Sequence, residues 1–342
     1  MTQPEQHPGT TREGTRPGAD PQLAVGSWRR ALGATGLQVS AVCIGAAPLG
    51  GMPAKYGTDI TDDQAVDLVR AVLGSPFRFL DTSNGYSEGR SEARIGRAVR
   101  LAGGVPDDFL LATKVDAKDG DYSGDRVRRS AEESLERLGV DHLPLLHLHD
   151  PEHHDAAALT GPGGAVEALV ALRDEGVVDH LGLAGGDVSV MDRYLDLGVF
   201  EVLLTHNRWT LVDGSAGPLL ERCAADGVGV VNAAVFGGGV LARPEAGITR
   251  YAYRPVRPAT AAAVAAMAAA CRRAGTTLGT AALQHSLRDP RVDSTVVGVS
   301  RPDRLASLLE QAVEPLPDAL WEELAELRPS PEHWIDVEGS AS

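Results

Sequence analysis

The chain has 342 residues, 43% hydrophobic and 23% charged, with 32 Lys and Arg against 47 Asp and Glu for a net charge of −15. These proportions describe a globular protein long enough to bury a large core, and the acidic balance argues against general binding to nucleic acid or anionic membranes. Cys43, Cys223 and Cys271 show neither paired nor metal-ligand spacing, no apolar run reaches bilayer length, and no hydrophobic leader opens the sequence, so a reducing, cytoplasmic setting is expected.

In chain order, residues 1–26 are polar, rich in Thr, Gly, Pro and charge, and are expected to form a disordered tail. Residues 28–40, turning at Gly33 and Gly36, read as a hairpin at the base of a barrel. Beyond them, short apolar runs predict strands over 42–45, 77–80, 109–113, 143–148, 180–183, 202–205, 229–232 and 294–297. Amphipathic segments predict helices over 62–73, 91–101, 125–138, 164–175, 190–197, 216–226 and 258–274, several running into a glycine such as Gly139 or Gly227. Alanine-rich residues 259–270 suit an ordinary outer helix, since alanine is the best helix former. Eight strands alternating with helices predict a single (β/α)8 TIM barrel over 27–327, followed by a loose tail over 328–342 in which Trp334 and Ile335 can pack locally.

Three predicted strands end on chemistry. Asp81 follows the second, Lys114 the third and His149 the fourth, while Tyr86 lies five residues beyond Asp81 in a polar loop. Adjacent strand ends of a parallel barrel bring such side chains within reach of one another. A phenol titrates near 10 when unperturbed and needs a neighbouring cation for its anion to be accessible. Lys114 supplies that charge, Asp81 holds Lys114, and His149 can hydrogen-bond the reacting oxygen. The quartet suits proton transfer to or from a carbonyl or alcohol while hydride moves elsewhere.

His147 and His149 alternate on one side of a strand, as in barrel hydrolases that bind metal, but His206 is the only later histidine placed to join them. No metal is expected, and His153 and His154 read as exposed loop residues. The alternatives that remain are a metal-dependent hydrolase on the same barrel and a cofactor-binding regulatory barrel with little turnover.

From about Trp28 to about Leu327 the chain resembles the aldo-keto reductases. The resemblance is carried by Leu32-Gly33-Ala34-Thr35-Gly36-Leu37, by the run DTSNGYSEGRSE from Asp81, by Lys114, and by His149-Asp150-Pro151. It implies a catalytic quartet in which Tyr86 is the acid/base, Lys114 and Asp81 tune it, and His149 orients substrate. It also implies NAD or NADP bound across the loops after strands seven and eight. The implied cofactor contacts are Gly45, Ala46, Asp81, Asn207, Ala234, Phe236, Gly237, Gly239, Gly298, Ser300, Arg301 and Arg304.

Within that family the segments 207–213 and 235–242 are most similar to aldose and sugar 1-dehydrogenases of the D-threo-aldose or L-fucose type, with pyridoxal dehydrogenase near by. The implied activity is oxidation of the C1 hydroxyl of an aldose, the implied substrate is a small sugar, aldehyde or pyridoxal-like molecule, and the protein is expected to be a monomer or small homo-oligomer. Four departures stand out: Ala184-Gly185-Gly186 replaces a Ser-Asn pair, Ala233 replaces an aromatic, Leu203 replaces a glutamine, and Ser300 replaces a basic residue. The last leans towards NAD, while Arg301 and Arg304 keep NADP open. Substrate choice is expected from loops 48–59, 116–124, 208–216 and 243–256, with Tyr56, Trp209, Tyr251 and Tyr253 as candidate ring-stacking residues.

Overall fold

A closed ring of eight parallel strands forms the centre of the protein, as a computed structural model describes it for residues 27–51 and 59–335. The strands are β1 (Val42–Gly45), β2 (Phe79–Asp81), β3 (Leu110–Val115), β4 (Leu143–His149), β5 (Val178–Gly185), β6 (Val202–His206), β7 (Gly229–Ala233) and β8 (Ser294–Gly298). They pair in sequence order, and β8 closes on β1 with Gly298 opposite Gly45. This is the (β/α)8 barrel expected from the sequence. The expected tail over 1–26, residues 336–342 and Tyr56 lie outside the described residues.

Alternation along each strand divides the side chains between two cores. Cys43, Phe79, Leu110, Ala112, Leu145, Val202, Leu204 and Val231 fill the barrel, and Leu32 and Val39 of the basal hairpin pack with them. That hairpin pairs Arg29–Ala31 with Gln38–Ser40. Its turn needs glycine at Gly33, where φ is +52° and a Cβ would stand 2.3 Å from the Gly229 nitrogen. Outward-facing Ile44, Leu80, Leu111, Leu146, Leu183 and Leu203 meet the surrounding helices.

The first of these helices, Asp62–Leu73, starts at a reciprocal cap: Thr61 Oγ1 accepts from Gln64 N–H at 3.3 Å and Gln64 Oε1 accepts from Thr61 N–H at 3.0 Å. Its buried face is Ala65, Val66, Leu68, Val69, Val72 and Leu73, a helical repeat against the barrel.

Several elements differ from expectation. The second strand starts at Phe79 rather than 77, because Phe77 instead packs its ring 5.6 Å from Trp28, whose indole donates to Pro76 O at 3.0 Å. Helices Leu278–Leu287 and Asp318–Glu326 have no predicted counterpart. The first is buried nearly all round, so it carries no amphipathic repeat to read. Within the expected loose tail, residues 328–335 dock on the barrel: Ile335 is 7% exposed and its N–H donates to Asp213 Oδ2 at 2.8 Å.

Candidate active site

Strand register sets the site. Asp81 pairs with Ala112, so Lys114, two residues further along β3, shares the inward face one step nearer the rim. Lys114 in turn pairs with His147, and His149 closes β4 two residues later.

Lys114 is 1% exposed, and its ammonium donates to Asp81 Oδ1 at 2.5 Å, to the Thr82 carbonyl at 2.6 Å and to Tyr86 Oη at 3.3 Å. All three acceptors come from β2 and its loop, which is tied to β3 by Thr82 N–H to Ala112 O and Asn84 N–H to Lys114 O. Burial opposes the Lys114 charge, but Asp81 and Tyr86 outweigh it and hold the ammonium above its ordinary range. Burial pushes the Asp81 carboxyl up, against the pull of Lys114. Burial also pushes the Tyr86 phenol up; Lys114 draws it down and Asp81 drives it up again, leaving it raised. Asp81 Oδ2 is buried with no hydrogen-bond partner among the described residues.

His149 brings partners that sequence reading missed. Its Nδ1 lies 2.6 Å from Asp116 Oδ1 and 3.2 Å from Ser83 Oγ. Asp116 also accepts from Ser83 Oγ and, at 2.6 Å, from the Gly85 N–H. Tyr122 Oη accepts from the His149 N–H at 2.9 Å and lies within donating distance of the Val115 and His149 carbonyls. Burial works against the imidazolium, but Asp116 overrides it and the His149 pKa is raised; burial likewise works against the Asp116 anion, and His149, Ser83 and Gly85 override it. One signal was available: Asp116 follows Lys114 by two, the spacing that keeps a strand's side chains on one face.

His147 does not reach the rim. It is fully buried inside the barrel with both ring nitrogens unpartnered among the described residues, fitted where Gly182 leaves space: a Cβ there would meet its Nδ1 at 2.1 Å. Burial lowers its pKa well below the ordinary value, so the ring is neutral. His147 and His149 therefore do not converge on a common rim site.

His206 does stand at the rim, with Nε2 3.8 Å from Asp150 Oδ1 and Nδ1 3.0 Å from the Asn207 amide. Asp150, Glu152 and His206 each place one ligand-type atom within 4.8 Å of the others. Glu152 Oε1 is engaged at 2.5 Å by the Gly186 N–H, at the entrance to helix Val188–Leu195.

A cavity of about 200 Å³ opens over the quartet, walled by Asp81, Tyr86, Lys114, His149, Asp150 and His206 on its polar side and by Ala184, Leu204, Ala233, Val235 and Val296 on its apolar side. A second, of about 800 Å³, runs along Val297–Arg304 to the first turn of helix Asp303–Val313. Phe236 and Gly298 belong to the walls of both, so the two cavities adjoin. A chamber beside the quartet continuing to a helix N-terminus fits a dinucleotide, whose phosphates favour free N–H groups.

The expected cofactor contacts divide accordingly. Gly45, Asp81, Ala234, Phe236 and Gly298 line the smaller cavity, and Ser300, Arg301 and Arg304 the larger. Ala46 lies behind the wall, its N–H on Asp81 O at 2.8 Å. Asn207, Gly237 and Gly239 line neither cavity; Gly237 backs onto the Tyr251 ring. Leu203 faces outward, and Leu204 and His206 are the β6 residues in the wall.

A sequence profile described as "Aldo/keto reductase family" matches residues 41–329. The chain belongs to the aldo/keto reductase family. Its relatives include the D-threo-aldose 1-dehydrogenase of a Pseudomonas species, 31% identical over 326 residues that cover 87% of this chain and 97% of the relative. The L-galactose dehydrogenase of Arabidopsis thaliana is 34% identical, covering 79% and 83% respectively. The pyridoxal 4-dehydrogenase of Microbacterium luteolum is 29% identical, covering 86% and 96%. Among solved structures, an aldo-keto reductase from Bacillus halodurans in its holo form shares the fold with a TM-score of 0.69 at 24% identity, covering 88% of this chain and 96% of that one. As a member of this family, the protein is an oxidoreductase that depends on a nicotinamide cofactor.

Proposed function

We propose that the protein oxidises the C1 hydroxyl of an aldose, with Tyr86 moving the proton and NAD as the preferred cofactor. The observation that carries this reading is the Lys114 ammonium, held by Asp81 at 2.5 Å and presented to Tyr86 Oη at 3.3 Å on the wall of a cavity that adjoins a dinucleotide-sized one. When bound, the nicotinamide ring supplies the hydride acceptor. In the oxidative direction the Tyr86 phenolate takes the hydroxyl proton as the carbonyl forms; in reduction the phenol gives it back. Lys114 stabilises the phenolate, and Asp81 compensates the buried ammonium. His149 faces the same cavity and is placed to donate to the reacting oxygen.

The relatives' names support an aldose, and the cavity agrees with them in kind: Asp150, His149 and His206 offer polar partners to a hydroxylated ring. NAD is favoured by Ser300, which stands on the cavity wall where a basic residue would meet a 2′-phosphate. Arg301 pairs with Asp303, with Nη2 on Oδ2 at 3.0 Å and Nε on Oδ1 at 3.1 Å, and Asp59 shares that cavity with Arg243 and Arg304. Asp59 and Asp303 suit a ribose hydroxyl, whereas Arg243 and Arg304 are the groups that would meet a 2′-phosphate.

The test is nicotinamide absorbance change with NAD and with NADP across a panel of aldoses and pyridoxal. Tyr86→Phe should lower kcat by about 10²–10⁴-fold while cofactor Kd is unchanged. Because the Tyr86 phenol is raised, wild-type oxidation should climb with pH from neutral into the alkaline range, and reduction should persist there. Undiminished turnover in Tyr86→Phe would remove Tyr86 from the proton step, and higher kcat/KM with NADP would reverse the cofactor assignment.

A further inference from the structure

We propose that Asp116 is a positioning residue that fixes the His149 ring with Nδ1–H towards the β3 loop, so that an imidazolium meets the substrate oxygen through Nε2. The inference rests on the reading of the site as an alcohol–carbonyl oxidoreductase and adds to it the charge state and orientation of His149.

The geometry is specific. Asp116 Oδ1 is 2.6 Å from His149 Nδ1, the length of a charge-assisted hydrogen bond. The carboxylate cannot swing away readily, because Ser83 Oγ and the Gly85 N–H hold it from the other side and the Ser130 hydroxyl accepts from its own N–H at 3.2 Å. The side chains of both partners are largely covered, at 19% and 15% exposure, so water screens the pair weakly. Tyr122 fixes the histidine's backbone by accepting its N–H at 2.9 Å. With Nδ1 bound to a carboxylate, Nε2 is the nitrogen left to the cavity.

The other charged and titratable groups facing His149 come from each neighbouring element. Lys114 on β3 opposes its charge, whereas Asp150, with Oδ2 3.7 Å from Nε2, favours it. Asp81 and Tyr86 approach from the β2 side, the Tyr86 ring centroid at 5.9 Å. His147 lies neutral below on β4, and His206 on β6 is turned to Asp150. Among the described charged groups, Asp116 alone makes a short contact with the ring, beside the neutral Ser83 hydroxyl, and the direction of the His149 shift follows it.

Negative charge develops on the substrate oxygen in the transition state of either direction, and a pre-aimed cationic donor stabilises it there more than in the ground state. His149 needs neither to gain nor to lose a proton for this; the transferred proton belongs to Tyr86.

The closing experiment titrates His149 directly by nitrogen-15 NMR of histidine-labelled full-length protein, with His149→Gln identifying its signals among the ten histidines. Wild-type His149 should titrate above the ordinary value of about 6.5 with its Nδ1 protonated. In Asp116→Asn it should titrate lower by about one pH unit or more. The limb of kcat/KM governed by this group should move down with it, so that activity just above neutrality falls about tenfold.

A wild-type His149 that is already neutral below about pH 6, or an unchanged titration in Asp116→Asn, would overturn the proposal; neither depends on turnover. Asp116 also steadies the loop carrying Tyr86, and a loss of activity from that cause alone would leave the titration in place. If His149 behaves as expected but Tyr86→Phe retains full activity, the functional reading fails and the Asp116–His149 pairing stands.

Discussion

A buried histidine with neither nitrogen hydrogen-bonded is costly, and His147 is held in that state one layer beneath the charged quartet. Its folded-state pKa is depressed by burial, then by the Lys114 and His149 charges. The unfolded chain therefore binds a proton that the native state refuses. The stability tied to neutral His147 is complete above the unfolded pKa of about 6.5 and drains as pH falls below it, by up to about 1.4 kcal/mol per pH unit. His285, lowered to about 3 by burial and Arg328, acts in the same sense, whereas raised His149 is protonated in both states in that window. His147→Gln should accordingly unfold with a stability–pH slope shallower by one proton between about pH 6.5 and 5, while keeping the His285 contribution. Urea unfolding at several pH values measures it, and an unchanged slope would mean that His147 is protonated in the native protein.

At the scale of elements, strand ends were more legible than the loops that follow them. Asp81, Lys114 and His149 could be read because each follows an apolar run, and barrel topology then requires their ends to meet. The two-residue spacing from Lys114 places Asp116 on the inward face but says nothing of its partner; its meaning lies in Nδ1 of His149, a contact across 33 positions. The hairpin Arg250–Tyr251 with Arg254–Pro255 was hidden for a similar reason. Its two turn residues, Ala252 and Tyr253, have φ of +47° and +66°, positions normally given to Asn and Gly.

Tyr253 lines the catalytic cavity while remaining 73% exposed, so this turn presents an aromatic ring at the mouth despite backbone strain. Ala252→Asn should stabilise the turn by about 0.5–1 kcal/mol and leave KM near its original value. Tyr253→Gly should relax the turn too, but raise the sugar KM severalfold with cofactor Kd unchanged. Equal KM values in the two variants would remove Tyr253 from substrate binding.

Across the whole molecule, the barrel end that carries the site is joined to the segment after the last helix. Arg328 donates to Thr210 O at 2.5 Å and Asp213 O at 3.2 Å, and lies over the Trp209 and Trp334 rings at 5.5 and 5.8 Å. Thr210 Oγ1 is 2.8 Å from Tyr251 Oη, which donates to Asn207 O at 2.8 Å, linking the strap to the Tyr253 hairpin and the end of β6. Trp334 and Ile335 stand out in the otherwise polar tail, but Arg328 was hidden, because a single arginine carries no repeat that marks it as an anchor. Ending the chain after Leu327 removes Arg328 and exposes the apolar surface beneath Ile335, whose burial alone is worth about 1.5–3 kcal/mol. The shortened protein should melt at least about 2 °C lower. Because the loss falls on loop 208–216 and the hairpin rather than on Lys114 or Tyr86, KM should rise more than kcat falls. A selective loss of kcat would instead place the strap's influence on the proton-transfer groups, and an unchanged melting temperature would show that these contacts contribute nothing net.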